Sequence, residues 1–157
     1  MKNRIEDPII QRFIPAQSIR GKDDHVFSSN GLEVDVYRLI HLAENVPVVE
    51  VSVEELSRAL RESCWSDENG KRISPTKVMK KYEEANRNVE SIHKQYPEIA
   101  KHVRQIIHAD LSHPIILFEG RVVDGIHRLT KAVLQGDRTV KAKILDSIPE
   151  DAILKKP

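Results

Sequence analysis

The stretch His113 to Leu134, HPIILFEGRVVDGIHRLTKAVL, carries more converging local signals than any other part of the chain. Pro114 to Phe118 is a continuous apolar run of strand length, Glu119 and Gly120 make a tight turn, and Arg121 to Val123 begins a second short strand. A hairpin is the simplest reading. Asp124 and Gly125 interrupt the apolar run, and from Ile126 the spacing turns helical, with Ile126, Leu129, Ala132 and Val133 on one face until Gly136. A strand is thus expected to lead through Asp124-Gly-Ile-His-Arg128 into a helix.

This arrangement matters because the first turn of a helix has backbone N–H groups without intrahelical partners and carries partial positive charge. Anions bind there readily. Gly125 lets the backbone pass close to a ligand, His127 can donate to a phosphate oxygen, and Arg128 offers a planar fork suited to phosphate. Asp124 is suited to hold a magnesium ion or to cap the helix. In the plainer alternative Asp124 or Gly125 only caps, His127 is a surface residue and Arg128 pairs with a carboxylate. On the residues alone the two readings weigh about evenly, because a five-residue pattern recurs by chance.

The segment PIILFEGRVVDGIHRLTKAVLQG resembles the ParB/sulfiredoxin superfamily, whose members bind nucleotides at a Gly-x-His-Arg or related turn opening a helix. The resemblance runs from Asp110 to Ile144. A looser part covers Arg38 to Trp65, where RLIHLAENVPVVEVSVEEL is similar to the family's entry strand and helix. Sulfiredoxins have a cysteine immediately before the motif histidine. Here that position is Ile126, and the single cysteine, Cys64, lies far away in sequence, so sulfinic acid reduction is not expected. Partition proteins follow the module with a helix-turn-helix domain, for which the 29 residues after Arg128 are too few. The Asp-Gly-x-His-Arg form is nearest the free-serine kinase branch and the ParB-like proteins of bacteria. The resemblance implies ATP or ADP with magnesium as cofactor, phosphates at Gly125, Ile126, His127 and Arg128, and Asp124 as magnesium or acceptor ligand. It also implies Glu62 as the acidic residue that handles an acceptor hydroxyl, with Glu50, Glu54 and Glu55 as competitors. The expected fold is α/β (α+β), a small mixed sheet with flanking helices and one long amphipathic helical segment.

A chain of 157 residues suits one domain that buries roughly two thirds of the surface its unfolded form exposes. Aromatic residues are only 4%, so the core must be mainly aliphatic. Charged residues make up 31% and nearly cancel to +1, so bulk charge does not direct the chain to nucleic acid and any DNA contact would be local. One cysteine permits no intrachain disulfide, and the N-terminus lacks an apolar signal core; both fit a reducing cytoplasm. No apolar run reaches membrane-span length.

Residues 1–31 read as an arm and a loop, with one apolar island at Ile9, Ile10, Phe13 and Ile14, and residues 32–157 as the domain. A short helix is expected over Val34 to Glu44, a buried strand over Val46 to Val53, and a helix from a Ser52–Glu55 capping box to about Arg61. Cys64 is expected to be a small buried residue and Trp65 a packing residue or, less often, a pocket wall. Ser74 and Pro75 open a helical insertion of about 74–109. Its stripe of Val78, Tyr82, Ala85, Val89, Ile92 and Tyr96 continues past Pro97 through Ile99, Val103 and Ile106. That narrow seam suits packing within the domain, which is favoured, or a homodimer through 75–108. None of the seven histidines forms an i, i+4 pair, so structural zinc is disfavoured. Val140, Ala142 and Ile144 alternate with lysines as a half-exposed strand, and the tail from Asp146 reads as a solvated end.

Two functions follow. The first is a nucleotide-dependent phosphotransferase acting on a small hydroxyl acceptor, with Asp124, His127 and Glu62 in the chemistry. The second is a non-enzymatic nucleotide-responsive module that switches a binding or dimer interface. DNA binding has the weakest support, because no aromatic and basic platform is evident.

Overall fold

The computed structural model describes residues 25–157. It is a mixed α/β fold, in agreement with the expected class. A hairpin of β1 (Val26–Ser29) and β2 (Leu32–Asp35) runs directly into α1 (Val36–Leu42), and β3 (Val49–Ser52) into the short α2 (Val53–Leu56). A 3-10 segment, Ser57–Arg61, leads to a two-stranded ribbon, β4 (Trp65–Ser66) with β5 (Arg72–Ile73). Three helices follow: α3 (Pro75–Glu84), α4 (Val89–Gln95) and α5 (Pro97–Ile107). The last third is β6 (Ile115–Phe118), β7 (Arg121–Asp124), α6 (Ile126–Gln135), β8 (Thr139–Leu145), a 3-10 turn at Glu150–Ala152, and β9 (Ile153–Lys155).

The main sheet has the order β3-β8-β6-β7. β8 lies antiparallel to β3 and parallel to β6, and β6 forms the expected hairpin with β7. The continuous apolar run of β6 is explained by burial on both faces. Ile115 and Leu117 join Leu129 and Ala132 of α6, with Val53, Leu56 and Leu60, on one side. Ile116 joins Val36 and Leu39 of α1 and its C-cap Ala43, with Leu145, on the other. Lys143 donates from Nζ to the carbonyls of Ala43 and Glu44 (2.8 and 3.1 Å), which places a cation at the C-terminal end of α1 where the helix dipole favours it.

Four expectations are corrected. First, the stretch expected as loop up to Gly31 contains β1, and the helix expected from Val34 starts at Val36 because Val34 and Asp35 finish β2. The Asp35 carboxylate then caps α1 by accepting from the Arg38 N–H at 3.1 Å. Second, the tail from Asp146 is not a solvated end: β9 pairs with β2 to complete a three-stranded sheet, and Ala152 is fully buried. Third, Ile144 is 53% exposed, because Leu145 rather than Ile144 continues the buried set of β8.

Fourth, the insertion is three helices rather than one. Asn86 and Arg87 take positive φ (55° and 60°), and Asn88 caps α4 by accepting from the Ser91 N–H. Pro97 restarts the chain as α5. The apolar stripe is nevertheless continuous in space. Val78, Ile92, Ile99, Val103 and Ile106 share one buried cluster with Ile73, and Tyr82, Ala85, Val89 and Tyr96 pack against it. The stripe therefore packs within the chain, the favoured of the two expectations for 75–108. The island at Ile9 to Ile14 lies outside the described residues. No helix among the described residues is long and apolar enough to cross a membrane.

Candidate functional site

The DGIHR turn stands where the sequence places it, between β7 and α6. Gly125 is the N-cap of α6 with φ 111° and ψ 23°, and it brings no side chain to cap the first turn. The reason for glycine is packing: a Cβ built there would stand 2.4 Å from Ile115 Cγ2, 2.7 Å from its Cβ and 3.1 Å from its Cα. The residue read as giving a ligand access to the backbone thus gives β6 access to it.

Arg128 follows the plainer alternative. Its Nη2 donates to Asp124 Oδ2 at 2.7 Å, and its Nη1 donates to the carbonyls of Pro114 (2.7 Å) and His113 (3.2 Å). Both side chains are largely buried, 18% and 11% exposed. The fork clamps the end of β7 to the connector that enters β6. Arg128 and Asp124, expected at a phosphate and a magnesium ion, thus engage each other here. Among the described residues no group of three or more histidine, cysteine, aspartate or glutamate side chains could hold a metal ion.

His127, on the first turn of α6, packs into an aromatic cluster. Trp65 of β4 stacks on His127 (centroids 4.5 Å apart, planes within 14°) and on His102 of α5 (4.3 Å, 8°). His102 Nδ1 and His127 Nε2 are 3.2 Å apart. Burial, then His102, His25 and Arg128, push the His127 imidazole down to about 4. Burial also lowers His102, against Glu98, the Ser66 backbone and the Gln105 side chain, which favour its charged form. His127 is therefore a neutral ring at pH 7.

A pH dependence follows. Because the folded value lies below the ordinary 6.5, the unfolded chain binds more protons between the two. Stability is fully present above about 6.5 and is expected to fall by about 3 kcal/mol as pH drops towards 4. Denaturant unfolding of wild type and His127→Gln across pH 4 to 7 measures this. The variant should lose that slope, and an equal slope in both would assign the acid sensitivity to other groups.

These residues line one open cleft of about 1500 Å³ that also takes in Glu62, Lys101 and Arg121. Glu62 is exposed, 3.9 Å from the Arg121 guanidinium, so the structure brings it to the same cleft as Asp124 and His127. Asp110 and His113 also reach the cleft, paired at 3.4 Å. Cys64 is exposed rather than buried, since it follows the 3-10 turn at the cleft edge. Desolvation of its thiol raises it above the usual range, which keeps the weakly nucleophilic protonated form.

Sequence reasoning missed His102 and gave Trp65 only a minor place in a pocket wall. No spacing rule links β4, α5 and α6, so only the fold unites the three rings. No family model, curated protein or solved structure matches this chain.

Proposed function

We propose that this protein binds a nucleotide in the cleft and transfers a phosphoryl group to a small hydroxyl-bearing acceptor, as the resemblance to the ParB/sulfiredoxin superfamily implies. The observation that carries the reading is the first turn of α6, which lines the cleft without a side-chain cap. Its N–H groups supply the phosphate contact expected of Arg128, with Lys101 and Arg121 on the cleft wall contributing positive charge. ATP or ADP brings magnesium on its own phosphate oxygens. Glu62, exposed at the cleft, is the carboxylate that meets the acceptor hydroxyl. Phosphoryl transfer asks chiefly for positioning and charge neutralisation, which such a cleft supplies.

A thermal-shift screen of ATP, ADP, CTP and GTP with magnesium tests this. At a concentration 100 times Kd, one nucleotide should stabilise the fold by about 2.7 kcal/mol, roughly 5 to 10 °C for a chain of this size. No shift from any nucleotide at millimolar concentration would end the proposal. One observation favours a non-enzymatic nucleotide-responsive module as the second reading: Asp124 is held by Arg128. A nucleotide that shifts Tm without turning over, with or without candidate acceptors, selects it.

A further inference from the structure

The two imidazoles beside Trp65 have an arrangement that simple packing does not require. Their centroids are 5.4 Å apart, much less than the sum of their separations from the indole, so both lie on the same face of Trp65. Their planes agree within 16°, and they meet edge to edge through His102 Nδ1 and His127 Nε2 at 3.2 Å. One indole thus holds two rings in a common plane with a hydrogen bond between them.

The bond runs from one ring to the other according to the tautomer. The Ser66 backbone and the Gln105 side chain both favour charged His102, as a ring that receives a proton needs. In the tautomer with a lone pair on His102 Nδ1, His127 donates its Nε2–H. This leaves a lone pair on His127 Nδ1, a nitrogen that no hydrogen bond of the described residues engages, on a ring that lines the cleft.

We propose that His127 and His102 form a two-imidazole proton relay in which His127 Nδ1 takes the proton of the acceptor hydroxyl and His102 receives a proton in turn. The relay deepens the phosphotransfer reading above and rests on it. As the hydroxyl oxygen attacks the terminal phosphorus, its O–H bond breaks and an N–H bond forms at His127 Nδ1. The bond from phosphorus to the nucleotide's bridging oxygen breaks, and its electron pair leaves on the shortened nucleotide. His127 passes its Nε2–H to His102 Nδ1 and is neutral again, with the positive charge now on His102. The proton later returns by the same path to the departing phosphate or to water.

The surroundings make that direction favourable. The groups facing His127 are His102, His25 from the residue before β1, and Arg128 on its own helix, and all oppose a positive charge there. Those facing His102 are Lys101, which opposes charge, and Glu98, Ser66 and Gln105, which favour it. The protein groups around the pair therefore favour the cation on His102 over His127. Glu62, exposed and beside Arg121, then orients the acceptor.

Long-range proton–nitrogen correlation spectra of the wild-type protein read the relay directly, without nucleotide. Both rings should show Nε2–H at pH 7, and on acidification the first charged imidazole should be His102. A His127 ring in the Nδ1–H form, or charged before His102, would overturn the relay. In turnover, His127→Gln should lower kcat about 100-fold or more while nucleotide Kd stays within about threefold. His102→Asn removes a group that lowers His127, so the acidic limb of the pH–rate profile should move to higher pH. An unmoved limb, or full activity in His127→Gln, counts against the relay. Wild type that binds no nucleotide overturns the function proposed above and the relay's assignment to phosphoryl transfer, whereas wrong tautomers overturn the relay alone.

Discussion

Gly125→Ala is expected to destabilise the protein by about 2 to 5 kcal/mol. Two costs add at this position. A Cβ at φ 111° lies outside the comfortable region for an L-residue, worth about 1 to 2 kcal/mol. It would also enter the space of Ile115, whose Cγ2 and Cβ stand 2.4 and 2.7 Å away, and overpacking of this kind costs about 1 to 3 kcal/mol or more. Ile115 is fully buried in the sheet that supports the site, so it has no open side to move towards. Adding Ile115→Ala should restore little, because it removes Cγ2 but leaves the Cβ contact and opens a cavity of its own. Denaturant unfolding of the two single variants and the double variant measures this. A Gly125→Ala protein within about 1 kcal/mol of wild type would show that β6 and the turn are not in close contact.

Gly125 also shows what could be read from the chain in advance and what could not. The strand-turn-helix around it was legible because each part has a local signal: an apolar run, a turn pair, a change of period and a terminal glycine. The reason for the glycine was not, because Ile115 approaches across the sheet and nothing in local spacing reports a partner ten residues away. The same limit explains the other misses. β1 and β9 are short strands joined from the two ends of the described chain, each too brief to show a pattern. The stripe from Val78 to Ile106 kept helical phase across two breaks because three helices serve one core, so period alone concealed Asn86 and Arg87 in left-handed conformation. The pairing of Trp65, His102 and His127 arises from three separate elements. Its consequence, a His127 imidazole pushed down to about 4 by burial, could not be read from the residues beside it in the chain.

Arg128→Ala is expected to cost about 3 to 5 kcal/mol of folding stability, with little change in nucleotide affinity of the folded fraction. Three contacts disappear together: the 2.7 Å bond to Asp124 and the bonds to the carbonyls of Pro114 and His113. What remains is a carboxylate only 11% exposed, next to an apolar sheet edge and without its cation. Removing one partner of a buried pair is costly chiefly for this reason. Arg128→Lys should recover only part, since one ammonium cannot reach the acceptors in the planar geometry of a guanidinium. Asp124→Asn combined with Arg128→Ala should cost less than the two single changes added, because no uncompensated charge is then left behind. Nucleotide titration separates this structural role from a phosphate-binding one. A stable Arg128→Ala protein that has lost ten- to a hundredfold in nucleotide affinity, about 1.4 to 3 kcal/mol, would return the arginine to the ligand and make the clamp an effect of the empty cleft.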